Sequence, residues 1–142
     1  LEGFAYNTEM NEGRVKTETV FKVENRKYLH NHLQYNYSYN AEGRISAKEV
    51  LKWSKENQRF EKQYCLNFSY DGTDINVEYV AWNSKMNAYA DVKAKTVYQT
   101  VYQINAMGAN YQSYKWNKKD NSWNLTAEHS TQAEEIMLFA EK

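Results

Sequence analysis

The chain has no proline, one cysteine and five glycines, its charges cancel, and no stretch of it comes near the length of apolar run that crosses a membrane as a helix. Each of these shortages excludes something. Without proline, the commonest interruption of a hydrogen-bonded strand ladder is missing. A single cysteine rules out an internal disulfide framework and a cysteine-based zinc site. Cys65 lies between apolar neighbours in "QYCLNF", and with no cation beside it to favour a thiolate it reads as a small buried strand residue. Lys plus Arg number 18 and Asp plus Glu number 18, so no net field draws the chain to nucleic acid or to an anionic membrane. We therefore expect neither a nucleic-acid partner nor a membrane span. The sequence shows no glycine-rich phosphate cradle, nucleophile elbow or zinc-protease helix motif, so no cofactor and no catalytic residue is expected. At 142 residues the expectation is one domain over 1–142.

What is abundant is aromatic: 13 Tyr, 4 Trp and 5 Phe, a composition that suits half-buried pleated surfaces. These residues are arranged in repeats. Trp53 and Phe60, Trp82 and Tyr89, and Trp116 and Trp123 each stand seven positions apart around a polar stretch rich in Asn and Lys. That pattern predicts a hairpin turn between two strands. "VENRKY" at 23–28 is a shorter copy without the Trp. A second turn type alternates with the first. "NEGRV" and "AEGRI" place Gly13 and Gly43 30 positions apart, "YDGTDI" is a tighter version around Gly72, and "INAMGANY" a looser one around Gly108.

Between the turns the residues alternate. "LQYNYSYN" puts Leu33, Tyr35, Tyr37 and Tyr39 on one face and Gln34, Asn36 and Ser38 on the other. "INVEYVAW" puts Ile75, Val77 and Tyr79 opposite Val80 and Trp82, so the later strands are apolar on both sides. The expected fold is all-β: an antiparallel meander of about four hairpin repeats with roughly nine or ten strands, forming a twisted sheet or partial barrel. A closing strand is expected at Ile136 to Phe139.

Two resemblances follow from these motifs. "YSYNAEGRI" resembles the Tyr-Asp repeat of Rhs-type shell proteins, with Asn40 where that signature has Asp and a spacing longer than that family's. The paired Glu-Gly-Arg turns, the Lys-Trp steps at 52–53 and 115–116, and Lys95-Thr96-Val97-Tyr98-Gln99 together resemble an uncharacterised family of small secreted proteins from Bacteroides-type gut bacteria. The latter resemblance implies an exported, secreted or cell-surface, all-β protein, and it carries over no catalytic or binding residues. Leu1 at the start of the chain is in keeping with a processed leader.

Individual residues offer little chemistry. His30 and His32 share a strand face at a spacing that can present two imidazoles to one metal, yet a site would need a third ligand such as His129, and no metal is expected. Asp71 and Asp74 flank Gly72 in a stretch too short for a calcium loop and read as turn residues. Glu49, Glu56, Glu61 and Glu78 could supply the two carboxyls of a glycoside-processing enzyme, but they read more simply as strand-edge charges. The expected role is a noncatalytic binding or protein-interaction module. Its partner would be a protein or a glycan, with a homodimer through the aromatic sheet face as one form. A carbohydrate-binding platform would use Tyr111, Tyr114, Trp116 and Trp123, where rings stand beside amides.

Overall fold

The computed structural model describes the backbone of residues 3–103 and 106–132 and the side chains of 3–98 and 112–127. Ten strands follow one another: β1 (Phe4–Asn11), β2 (Arg14–Glu24), β3 (Tyr28–Tyr39), β4 (Ile45–Ser54), β5 (Arg59–Asp71), β6 (Asp74–Asn83), β7 (Ala88–Tyr89), β8 (Ala94–Gln103), β9 (Ala106–Asn117) and β10 (Ser122–Gln132). They form one antiparallel meander in the order β1-β2-β3-β4-β5-β6-β8-β9-β10, with β7 also paired to β6. The sheet is open and does not close into a barrel, so of the two forms expected from the sequence it takes the twisted sheet. The expected strand at Ile136 to Phe139 lies outside the described residues. The looser turn expected in 104–111 falls at the start of that stretch, between the paired Gln103 and Ala106, while Gly108 is itself a paired residue of β9, opposite Val101 and Gln132.

Turn chemistry explains the two alternating spacings. Glu12 and Gly13 form a two-residue turn with φ of 52° and 78°, the left-handed pair that matches the twist of a hairpin. The three Trp hairpins instead use four-residue loops, 55–58, 84–87 and 118–121, which end on Gln58, Asn87 and Asn121 at φ of 52°, 50° and 49°. The residue after each Trp accepts hydrogen bonds from the loop backbone: Ser54 from Asn57, Asn83 from Lys85 and Met86, Asn117 from Lys119 and Asp120. A four-residue loop with one residue on each side puts positions seven apart directly across the ladder. Trp53 thus faces Phe60, Trp82 faces Tyr89 and Trp116 faces Trp123.

At the other end of the strands, Asn40 closes the wider turn by accepting from the backbone N–H groups of Glu42 and Arg44 at 3.0 Å. The Glu-Gly-Arg repeat then acquires a structural meaning. Arg14 lies 5.4 Å from the centre of the Tyr39 ring, whose hydroxyl donates to the Val15 carbonyl at 2.6 Å. One repeat on, Arg44 lies 3.6 Å from the centre of the Tyr70 ring, whose hydroxyl donates to the Ile45 carbonyl at 2.6 Å. Each turn is tied to a neighbouring strand through a cation over a ring and one buried-side hydrogen bond. Gly43 shows how tight the junction is: its φ is +83° and a Cβ there would lie 2.6 Å from Arg14 Nη2. Gly43→Ala is expected to cost about 1–2 kcal/mol, from left-handed backbone strain and displacement of the arginine, read as a lower urea midpoint. An unchanged midpoint would show that the turn relaxes at no cost.

Register sorts the side chains into two faces. Tyr35, Val50, Tyr64 and Ala81 stand in one row, while Asn36, Glu49, Cys65 and Val80 stand in the next, on the opposite face. Following the rows outward gives a tyrosine face and a tryptophan face. On the tyrosine face, Tyr37, Ile45, Phe68, Ile75 and Val77 form the core cluster, with Tyr35, Tyr39, Leu66 and Tyr70 packed against it. Val50 and Leu51 are consecutive, hence on opposite faces, and both are buried, so the sheet buries something on each side.

That burial comes from twist rather than from a second layer. All the extensive contacts join strands adjacent in the sheet order. Five strand pairs carry register shifts, and such bulges increase local twist. The chain exposes 10147 Å², whereas a compact monomer of its mass exposes about 7,700 Å².

Candidate functional site

The tryptophan face carries the polar network. Its centre is Glu49 on β4, opposite Asn36 on β3 and Cys65 on β5. Thr17 donates to Asn36 Oδ1 at 2.9 Å, and Asn36 donates to Glu49 Oε1 at 3.4 Å. The Tyr89 hydroxyl, 40 positions on, donates to Glu49 Oε2 at 2.5 Å. Lys62 Nζ lies 3.5 Å from the same oxygen. A bulge puts it there: Val50 pairs with Tyr64 and Leu51 with Lys62, so Gln63 is the extra residue and Lys62 turns to the tryptophan face.

Electrostatics fix the protonation states. Burial opposes ionisation of Glu49, but the hydrogen bonds from Tyr89 and Asn36 together with the Lys62 charge outweigh it and hold the carboxyl below its ordinary range. Burial, then the bond to Glu49 and its charge, push the Tyr89 hydroxyl well up. Cys65 is buried and free, and burial with the nearby Glu49 charge raises its thiol. The cluster therefore holds an ionised carboxylate, a neutral phenol and a neutral thiol.

Around this centre stand the three aromatic pairs, all edge to face. Trp53 and Phe60 have ring centres 5.0 Å apart at 70°, Trp82 and Tyr89 4.9 Å at 77°, Trp116 and Trp123 5.3 Å at 70°. Their six rings are half-buried. Lys62 lies 4.8 Å from the centre of the Trp82 ring, and Lys95 lies 4.5 Å from that of Trp123 and 5.4 Å from that of Tyr114. An open cleft of about 1000 Å³ between the first two Trp hairpins is lined by Arg59, Phe60, Glu61, Lys62, Gln63 and Trp82, with Ser84 and Asn87 at its rim.

The residues singled out from sequence fall as follows. Tyr114, Trp116 and Trp123 share the tryptophan face, but the two Trp rings are nearly perpendicular and do not make a flat platform. The Tyr114 hydroxyl donates to Gln112 at 2.8 Å. Tyr111 stands at a β9 position of opposite parity, paired with Tyr98 and His129, and its side chain is not among the described ones. His30 Nε2 lies 2.6 Å from Glu24. His32 stacks against Phe4 at 5.7 Å, and slight burial with the Lys22 and Lys52 charges lowers its pKa, a setting that repels a metal cation. Among the described residues no three His, Cys, Asp or Glu side chains converge as metal ligands, and no helix is long and apolar enough to cross a membrane. Asp71 and Asp74 pair across the two-residue turn at Gly72. Of the four carboxylates considered for catalysis, Glu49 enters the network and Glu61 is held by Asn57 and Arg59. The sequence reading missed Thr17, Asn36, Lys62 and Tyr89 as partners of Glu49, since a bulge and a 40-residue separation leave no local trace.

The profile of a family described as a family of unknown function, DUF3836, matches residues 2–100. The chain belongs to DUF3836. The match ends within β8, so the first two Trp hairpins and the cleft between them lie inside the family's segment and Trp116 and Trp123 lie beyond it. A solved DUF3836 protein from Bacteroides vulgatus ATCC 8482 is 34% identical over 62% of this chain and 89% of its own, with a TM-score of 0.59. One from Parabacteroides distasonis ATCC 8503 is 24% identical over 68% of this chain and 89% of its own, at 0.61. A protein of unknown function from Bacteroides fragilis NCTC 9343 shares the fold at 23% identity, over 90% of this chain and 91% of its own, with a TM-score of 0.74. No curated protein matches. The expectation of an uncharacterised family with Bacteroides-type members is met in that coarser form, a family of unknown function with solved structures from Bacteroides and Parabacteroides.

Proposed function

We propose that this DUF3836 chain is a noncatalytic binding module acting outside the cytoplasm, with its recognition surface on the tryptophan face beside the hairpin loops, and that its ligand is a carbohydrate. One observation carries the reading: the cleft between the first two Trp hairpins is lined by Phe60, Lys62 and Trp82 of the tryptophan face and, from the alternate positions of β5 and its bulge, by Arg59, Glu61 and Gln63. Rings that pack on the apolar side of a sugar, with amides and charged groups placed for its hydroxyls, are what such a ligand requires. Glu49 is held ionised and shared among three partners, which does not suit it to act as a general acid, a role that needs a raised pKa.

The test is binding of the chain to a glycan array, with Trp82→Ala and the paired surface change Arg59→Ala, Gln63→Ala beside it, all checked for an unchanged far-ultraviolet spectrum. A hit weakened at least tenfold in both variants is the expected result. A hit indifferent to both would place recognition elsewhere, and turnover of any bound glycan would overturn the noncatalytic reading.

A second reading, self-association, draws on the surplus of exposed surface over a compact monomer, with Tyr6 and Tyr79 exposed at 55% and 39%. Sedimentation equilibrium decides it: a monomer at micromolar concentration would sink it.

A further inference from the structure

We infer that the carbohydrate taken by the tryptophan face is a linear acidic polysaccharide lying across the strands, an inference that rests on the binding reading above. Geometry supplies the direction. The three aromatic pairs sit on β4 and β5, β6 and β7, and β9 and β10, with β7 and β8 sharing one flank of β6. They therefore recur every two strands, about 10 Å apart across the sheet, on one face and along an oblique line: relative to the row of Glu49, Cys65 and Val80, Trp53 stands four residues off, Trp82 two, and Trp116 level with it. A regular row of equivalent sites fits a polymer with a regular repeat.

Charge supplies the chemistry. The chain is neutral overall, yet the meander sends its charges to opposite ends. The loops 25–27, 55–58, 84–87 and 118–121, all at the tryptophan end, carry Arg26, Lys27, Lys55, Lys85, Lys118 and Lys119 against Glu56 and Asp120. The connection 90–93, at the same end, adds Asp91 and Lys93, which cancel; the turns at the other end carry Glu12, Glu42 and Arg44, with Arg14 beside Gly13 and Asp71 and Asp74 flanking Gly72. Among the described residues none of those six loop cations is paired with a carboxylate. On the face itself, ammonium groups lie over Trp82 and Trp123, the first of them shared with Glu49. Carboxylates or sulfates repeating along a chain complement this arrangement, and the side chains of Gln63, Ser84 and Asn87 at the cleft are left for hydroxyls.

The same facts weigh against an anionic membrane. A membrane surface calls for apolar side chains at the loop tips, but the tips are polar apart from Met86, 74% exposed, and the Trp residues are set back on the sheet.

The experiment is titration of the purified chain against polygalacturonate and heparin, the same two polymers after carboxyl reduction or desulfation, poly(dT), and vesicles of phosphatidylglycerol. The quadruple variant Lys55→Gln, Lys85→Gln, Lys118→Gln, Lys119→Gln changes only exposed loop positions, and the fold is checked by its unfolding midpoint. Expected is binding to an acidic polysaccharide that weakens at least tenfold in the variant and at least tenfold between about 50 and about 500 mM NaCl. Equal binding of the neutralised polymers, independent of salt, would overturn the inference and leave the carbohydrate reading standing. Binding to no polysaccharide of either kind would overturn both. Tighter binding to poly(dT) or to the vesicles would replace the ligand class.

Discussion

Replacing Ile45 by alanine is expected to lower the unfolding free energy by about 2–5 kcal/mol. Ile45 is 1% exposed, the only large side chain among the described residues that is so fully enclosed. It stands among Tyr37, Phe68, Ile75 and Val77, and its carbonyl accepts from the Tyr70 hydroxyl, so the backbone around it is pinned and cannot settle into the space. Only ten apolar residues are buried among those described, which makes one of them a large share of a stability that is about 5–15 kcal/mol in typical domains. Urea denaturation of the wild type, Ile45→Val and Ile45→Ala should give a graded series, with valine costing about 1 kcal/mol. A loss under about 1 kcal/mol for the alanine would mean that the sheet flexes to close the gap, and the tyrosine-face cluster would no longer count as the core.

Tyr89→Phe is expected to cost about 1.5–3 kcal/mol at neutral pH, the range for a hydrogen bond to a charged group. The variant keeps the ring against Trp82 and removes only the bond to Glu49, leaving a half-buried carboxylate with Asn36 and Lys62. The cost should depend on pH in a definite direction. The folded-state pKa of Glu49 lies below its ordinary value, so the unfolded chain takes up the proton first as pH falls. The stabilisation is therefore present in full above the ordinary carboxyl range near 4.5 and is lost as pH drops through the lower folded-state value. Tyr89 stays neutral throughout because its hydroxyl is pushed up. Unfolding free energies of wild type and variant should thus differ most near pH 7 and converge as pH falls below the folded-state value of Glu49. A gap that stays the same size from pH 7 down into acid would show that the phenol serves packing alone and that Glu49 is not its electrostatic partner.

Several elements could be read without the fold because their causes are local. The spacing of seven between aromatic residues follows from a four-residue loop and one cross-strand pair, and Trp53 with Phe60 shows it as plainly in sequence as in space. Alternation placed Tyr35 and Tyr37 on one face, and burial of Tyr37 agrees. Gly108 misled because glycine marks turns more often than paired strand positions, and here it is paired on both sides. Of the expected platform, Tyr114, Trp116 and Trp123 share the tryptophan face, while Tyr111 holds a β9 position of opposite parity.

By itself the sequence determined the all-β class, the meander, the two turn types and the pairing of each Trp with an aromatic seven residues on, because turn geometry and period-2 alternation act over fewer than ten residues. Tertiary structure alone decided that the sheet stays open, that Glu49 meets Tyr89 across three strands, that a bulge at Gln63 turns Lys62 toward Trp82, and that a chain of zero net charge sends its basic loops to one end. Those outcomes depend on how register and twist accumulate from strand to strand, a sum over the whole chain that no short stretch of residues contains.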